Sequence, residues 1–213
     1  RGSGDFAGNP ADSLRQQMEQ QKAVMEKKWP GSQYIAYFQA HTNTHGSVEQ
    51  MKNAFEAVLD IPGVVGISIA TRADCLDEEK ADYIASLMER TFVEVELGLQ
   101  SVFDITGERI NRCHSYEEFL AGFALLKARK IPVCVHLING LPGENREMML
   151  ESARRVGQLR PHSMKLHLLH VIEGTKLAEQ WKNGDFPLLE REDYVNILCD
   201  QLEVLPPEIV IQR

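Results

Sequence analysis

Residues Val133 to Glu144, VCVHLINGLPGE, constrain the fold more than any other stretch. Val133, Val135 and Leu137 alternate with Cys134, His136 and Ile138, the period-two pattern of a strand. The alternation stops at Asn139-Gly140. The chain then turns through Leu141-Pro142-Gly143, and a helical run starts near Glu144. A strand that ends in a glycine loop and feeds a helix is the βα unit of a parallel sheet. Such sheets take their ligands at the carboxyl ends of the strands.

The same unit recurs along the chain. Ser13 with Gln16 forms a capping-box pattern for a helix reaching about Lys28, and Ser47 with Gln50 forms a second, ahead of Met51, Phe55 and Val58. Ser115 with Glu118 forms a third, ahead of Phe119 and Phe123. Strands are expected at Tyr34–Ala40, Val64–Ala70, Phe92–Leu99, Met164–Leu169 and Glu208–Gln212. Helices are expected at Asp77–Arg90, Asn145–Leu159 and Arg191–Leu205, with a helical turn at Ala178–Trp181. Strand followed by helix, repeated, predicts an α/β fold: a partial (β/α)6 TIM-type barrel of parallel strands with outer helices and right-handed crossovers. Length and composition suit a single domain over residues 1–213. The first helix has no preceding strand to pack against, and the sequence opens on Arg1 rather than Met. Both suggest a fragment, with residues 1–10 a loop and 206–213 the last strand.

Charge and cysteine usage exclude several classes. A net charge of −8 with pI about 5.4 disfavours a uniformly basic nucleic-acid face. No apolar run approaches the ~18 residues of a membrane span. Cys75, Cys113, Cys134 and Cys199 are scattered, with no C-x-x-C pair and no zinc-ligand spacing. Reduced thiols in a cytoplasmic protein are expected.

Strands of a parallel sheet buried on both faces should read as nearly continuous apolar runs. These alternate instead. Glu94 and Glu96 share one side of their strand, Cys134 and His136 one side of the next, and Lys165 and His167 one side of the one after. Tyr37 with Gln39 and, on its own strand, Ser68 do the same. Burying so many ionisable groups without a purpose is expensive, so a wet, ligand-binding cavity is expected in an incompletely closed barrel.

Two chemistries compete for that cavity. His41, His45, His136, His167 and His170 raise a metal hydrolase, yet no H-x-H or H-E-x-x-H spacing and no Asp partner supports it, and no metal ligand is assigned. The alternative starts from GLPGE, which offers bare backbone and a helix N-terminus to a ligand. It follows VELGLQS (Val95–Ser101) and precedes LHLLHVIEGTKL (Leu166–Leu177). In order and spacing these three motifs resemble the radical S-adenosylmethionine superfamily. With KWPGSQYIAYFQAHTNT, VVGISIATRADC and INRCHSYEEF, nearly the whole chain is similar to its YhcC/YtqA-type bacterial subfamily, more distantly related to oxygen-independent coproporphyrinogen oxidase and the catalytic subunit of elongator.

The resemblance implies a [4Fe–4S] cluster held by three cysteines, cleavage of S-adenosylmethionine, and a 5′-deoxyadenosyl radical that abstracts a substrate hydrogen. It implies a reductant such as flavodoxin or ferredoxin, and it suggests a tRNA wobble uridine as substrate. It places Gln39 and Ala40 near the amino group of the methionine moiety and Thr71 and Arg72 near its carboxylate. Glu96 and Gln100 fall on the ribose, and Asn139, Gly140, Leu141, His170, Val171 and Ile172 on the adenine. Glu94, His136, Lys165 and His167 then face substrate, and no catalytic residue is assigned. The sequence departs from the family in lacking a cluster motif, expected just ahead of GSGDFAG, and in having Gln39 to Thr44 where the family has a GGE-type motif. As written, the chain should bind neither cluster nor S-adenosylmethionine normally. A non-catalytic barrel serving as a binding module or partner subunit is the competing class.

Overall fold

The computed structural model describes Asn9 and residues 11–212. The GSGDFAG segment and Pro10, expected to form the opening loop, lie outside the described residues. Six parallel strands lie in one sheet in chain order, β1 (Tyr34–Phe38), β2 (Val64–Thr71), β3 (Phe92–Gln100), β4 (Val133–Asn139), β5 (Ser163–Leu168) and β6 (Val210–Gln212). Helices follow the strands, as the α/β class requires. The chain resolves into two compact units. One takes the described residues up to Leu97 together with Ala121–Pro132; the other takes Gly98–Leu120 and the described residues from Val133 onward.

In the first unit, α1 (Leu14–Lys28) and α2 (Val48–Leu59) begin where the capping boxes place them. Ser13 accepts from the Gln16 amide, and Ser47 does the same for Gln50. Each box satisfies two of the amide donors that a helix start leaves open. α2 packs on β2 through Met51, Phe55 and Val58, all at most 2% exposed. α3 (Glu78–Leu87) buries Tyr83, Ile84 and Leu87. The apolar side of β2 and β3, Ile67, Ile69, Val93, Val95 and Leu97, completes this core. Burying each such side chain stabilises the fold by ~1.5–3 kcal/mol relative to exposure. β1 and β2 pair in parallel, as do β2 and β3, which places Tyr37 opposite Ser68 and Ser68 opposite Glu94.

In the second unit, β4 pairs in parallel with β5 and β5 with β6. α6 (Arg146–Leu159), capped by the Asn145 side chain, packs on β4 and against α8 (Arg191–Val204). Met149, Val156, Ile197, Val135, Leu137 and Met164 form the apolar layer. α7 (Lys176–Lys182) is a two-turn helix capped by Thr175, longer than the expected Ala178–Trp181. α5 (Tyr116–Ala128) begins at the third capping box: Glu118 N–H donates to Ser115 Oγ at 3.1 Å and Ser115 N–H donates back to Glu118 Oε2 at 2.7 Å.

Four differences from the expected boundaries have physical causes. β1 stops at Phe38 because the Asn43 side-chain amide donates to the Phe38 and Ala70 carbonyls, at 2.7 and 2.8 Å. β2 runs one residue further, through Thr71, whose hydroxyl is bonded to that of Thr44 at 2.6 Å. A six-residue helix, α4 (Asp104–Arg109), carries too little apolar periodicity to show in the sequence. β6 starts only at Val210, because the Ile209 N–H turns back to the Pro206 carbonyl at 3.1 Å.

Candidate active site

Parity assigns each polar side chain to a side of its strand. In the first unit, Tyr37, Ser68, Glu94 and Glu96 share the side opposite the apolar layer. Glu96 is 4% exposed, and its carboxylate accepts from the Tyr37 phenol and the Ser68 hydroxyl, each at 2.8 Å. Ser68 is the register partner of Glu94, whereas Glu96 lies opposite Ala70. The Glu96 carboxylate therefore leans toward the N-terminal ends of β2 and β3. The resemblance assigns Glu96 and Gln100 to one ribose; Glu96 belongs to the first unit and Gln100 to the second. Ser68 and Tyr37 are the partners of Glu96, a link that period-two reading could place on one face but not in one hydrogen-bond network.

The exits of β1 and β2 are tied to each other. Gln39 is exposed and Ala40 half-buried in the segment after β1. Asn43 fixes that segment, and Thr44 donates to the Cys75 carbonyl at 2.9 Å. Thr71, expected near a ligand carboxylate, is buried on the apolar side and occupied by Thr44. The Arg72 fork does grip a carboxylate with two prongs, but the carboxylate is that of Asp74, at 2.9 and 2.6 Å. A bound carboxylate would have to displace or share it.

In the second unit, His136 and Lys165 are register partners, and the His136 and His167 rings are tilted with centroids 5.1 Å apart. The structure brings these three expected substrate-facing residues onto one side of β4 and β5. The opposite, helix-covered side holds Val135, Leu137 and Leu166, and Asn139 falls there with them. Its amide donates to and accepts from Gln201 of α8, at 2.8 and 2.9 Å, and Gln201 also donates to the Met149 carbonyl. The Asn139 side chain is thus spent on holding the β4 exit to α6 and α8, and only its backbone remains near the loop. Its carbonyl accepts from Leu169 N–H at 2.9 Å, joining the β4 and β5 exits.

Gly140 follows at φ +85, a conformation open to a residue without a side chain. A Cβ there would stand 3.1 Å from Leu189. Leu141 is buried, while His170 is exposed and Val171 half-buried beyond β5. Glu144 accepts a hydrogen bond from the Ser101 hydroxyl, so the GLPGE and VELGLQS motifs meet directly. Burial pushes the Glu144 carboxyl above its ordinary range, and the Ser101 bond offsets part of that rise. A cavity of about 380 Å³ opens beside Pro142 and Gly143, lined also by Arg109, Gln180 and Phe186.

Among the described residues no three His, Cys, Asp or Glu side chains come together as a metal site. No described helix is long and apolar enough to cross a membrane.

Parallel strands whose polar sides carry charged groups, ending in glycine-bearing loops, define an α/β protein. Residues 8–156 match the Radical SAM superfamily and residues 161–213 the Radical SAM C-terminal domain. The chain belongs to the radical S-adenosylmethionine superfamily. It is 49% identical to YtqA of Bacillus subtilis over 212 residues, all of this chain and 66% of that protein. It is 32% identical to YhcC of Escherichia coli K12 over 202 residues, 94% of this chain and 64% of that protein. A further relative, the tRNA uridine(34) acetyltransferase of Methanocaldococcus infernus, is 30% identical over 152 residues, 70% of this chain and 28% of that protein. Among solved structures, the archaeal Elp3 of Methanocaldococcus infernus superposes with TM-score 0.76 at 24% identity, covering 94% of this chain and 51% of that one. That likeness speaks for the fold. The chain spans just under two thirds of the length of YtqA and YhcC.

Proposed function

We propose that these residues are the S-adenosylmethionine-binding core of a radical S-adenosylmethionine enzyme. The observation that carries the reading is the pairing of two strand exits within one unit: Gln100 of VELGLQS and the bare Gly140 of GLPGE, linked through Ser101 and Glu144. In a chain of this superfamily, those exits suit a ribose and the edge of an adenine. Gln100 offers an amide to hydroxyls. Gly140 leaves room for a ring to approach backbone, and Leu141 adds an apolar wall. Glu94, His136, Lys165 and His167 lie on the polar sides of their strands and would meet substrate. With cluster and S-adenosylmethionine bound, the site would supply a 5′-deoxyadenosyl radical for hydrogen abstraction.

The described residues do not suit the [4Fe–4S] cluster itself. No cysteine group forms among them, and Cys75, Cys113, Cys134 and Cys199 form no disulfide. The reading therefore requires three cysteines that these 213 residues do not supply, and a flavodoxin- or ferredoxin-type reductant. The second reading is a barrel module that binds a ligand or partner without a cluster. We place the protein in the cytoplasm, where such a cluster and its reductant operate.

The substrate class we favour is a tRNA wobble uridine. The name of the tRNA uridine(34) acetyltransferase relative supports it; the net charge of −8 pulls against a large nucleic-acid face. The test has two arms. Full-length protein, reconstituted anaerobically, is expected to hold a cluster and bind S-adenosylmethionine in calorimetry; iron-free protein after reconstitution would favour the module. Mass spectrometry of tRNA nucleosides from cells lacking the gene is expected to show a missing or altered wobble uridine, and an unchanged profile would remove tRNA as the substrate.

A further inference from the structure

Gln100 is the one expected ligand-side residue, among those on the strand exits of the second unit, that carries a side chain at positive φ, +64. The left-handed region strains any residue with a Cβ. Its neighbours close across it: Ser101 N–H donates to the Leu99 carbonyl at 2.8 Å. A two-residue step bridged in this way, with a positive central φ, is the rarer and more strained form of γ-turn. Backbone strain persists where the surroundings over-determine it, and here they do.

The over-determining group is Arg112. Its side chain is 2% exposed. One terminal nitrogen, Nη1, donates to the Leu99 carbonyl at 3.2 Å and the Ser101 carbonyl at 2.6 Å, the two carbonyls that flank Gln100. Nε donates to the His114 carbonyl at 2.8 Å and Nη2 to Asp104 at 2.7 Å. A buried guanidinium with one half-exposed carboxylate partner is costly to keep. What it holds is a turn that would otherwise relax into extended strand. The Gln100 side chain lies back along β3: a Cβ on Gly98 would stand 2.6 Å from its Nε2. Gly98 therefore leaves the space that the amide occupies.

We propose that Arg112 is a positioning residue. It fixes the strained turn at Gln100, so that the Gln100 amide stands over Gly98 at the height where it meets the ribose hydroxyls of S-adenosylmethionine. Arg112 touches no ligand in this role; it acts through Gln100. The inference rests on the reading of Gln100 as a ribose-binding group.

The experiment measures the S-adenosylmethionine Kd and the Tm of reconstituted full-length protein and its variants. Gln100→Gly removes both strain and amide: Tm is expected to hold or rise while Kd weakens about tenfold or more. A purely structural Gln100 would leave Kd unmoved. Gly98→Ala is expected to push the amide aside and weaken Kd several-fold with little change in Tm. Arg112→Lys keeps the charge but loses the fork. Its Kd is expected to approach that of Gln100→Gly, and combining the two substitutions should weaken Kd no further than Gln100→Gly alone. If Arg112→Lys fails to fold, Asp104→Asn, which loosens the guanidinium from its outer partner, is expected to weaken Kd in the same direction and to lose that effect in the Gln100→Gly background. Additive losses would overturn the positioning role, because Arg112 would then act independently of Gln100. Unchanged Kd in Arg112→Lys and Gly98→Ala, alongside a loss in Gln100→Gly, would overturn it too while leaving the ribose reading intact. Unchanged Kd in Gln100→Gly would instead sink the ribose reading.

Discussion

Glu144 joins the two motifs that meet at the strand exits, and its titration should be visible in stability. Its half-buried carboxyl accepts from Ser101 Oγ, which itself accepts from Phe103 N–H at 3.1 Å. Burial raises its pKa, so the folded protein holds that proton more firmly than the unfolded chain. The stabilisation is fully present below the ordinary glutamate range and is lost as pH rises through the raised value. Glu144→Gln keeps an acceptor for Ser101 and removes the titration. Urea unfolding from pH 4 to 7 is expected to show a falling stability in the parent protein and a shallower fall in Glu144→Gln; identical slopes would show that Glu144 is not the group responsible. At this scale the sequence discloses which face each side chain occupies and little about its partner. Glu94, His136, Lys165 and His167 sit where the period of two puts them. The occupation of Asn139 by Gln201, and of Glu96 by Tyr37 and Ser68, depends on neighbours 28 to 62 residues away. No local pattern encodes those meetings.

Elements are more legible because caps and periods are local. The Ser13, Ser47 and Ser115 boxes mark three helix starts, and β-branched, aromatic or alternating runs mark all six strands. α4 escapes because six residues with a single exposed isoleucine carry no stripe; it is held by Asp104, which accepts from Arg112 and from the Tyr116 N–H. α5 illustrates how packing overrides propensity. Glycine inside a helix ordinarily costs ~1 kcal/mol against alanine, so propensity alone would have Gly122→Ala stabilise α5. A Cβ at Gly122, however, would stand 2.4 Å from the Ala73 carbonyl oxygen. That contact is with backbone and cannot swing aside, so Gly122→Ala is expected to destabilise the protein by ~1–3 kcal/mol. Denaturant unfolding decides it, and a stabilised variant would mean that α5 shifts freely on the turn at Ala73–Cys75.

For the whole molecule, the repeat of strand and helix is enough to define the α/β class, and the superfamily match agrees with it. The proposed cofactor site is less legible, since its residues come from strand exits far apart in sequence and the described cysteines form no cluster of ligands. The acidic balance constrains the partner more than the chemistry: net charge acts on association with nucleic acid, whereas cleavage of S-adenosylmethionine needs only the local site. The most direct measurement is therefore 5′-deoxyadenosine release, quantified by liquid chromatography, from reconstituted full-length protein given S-adenosylmethionine and a strong one-electron reductant. The account predicts 5′-deoxyadenosine in an amount that depends on both reductant and iron content and falls sharply in Gln100→Gly. A protein that carries its full cluster, is reduced, and releases none would contradict it.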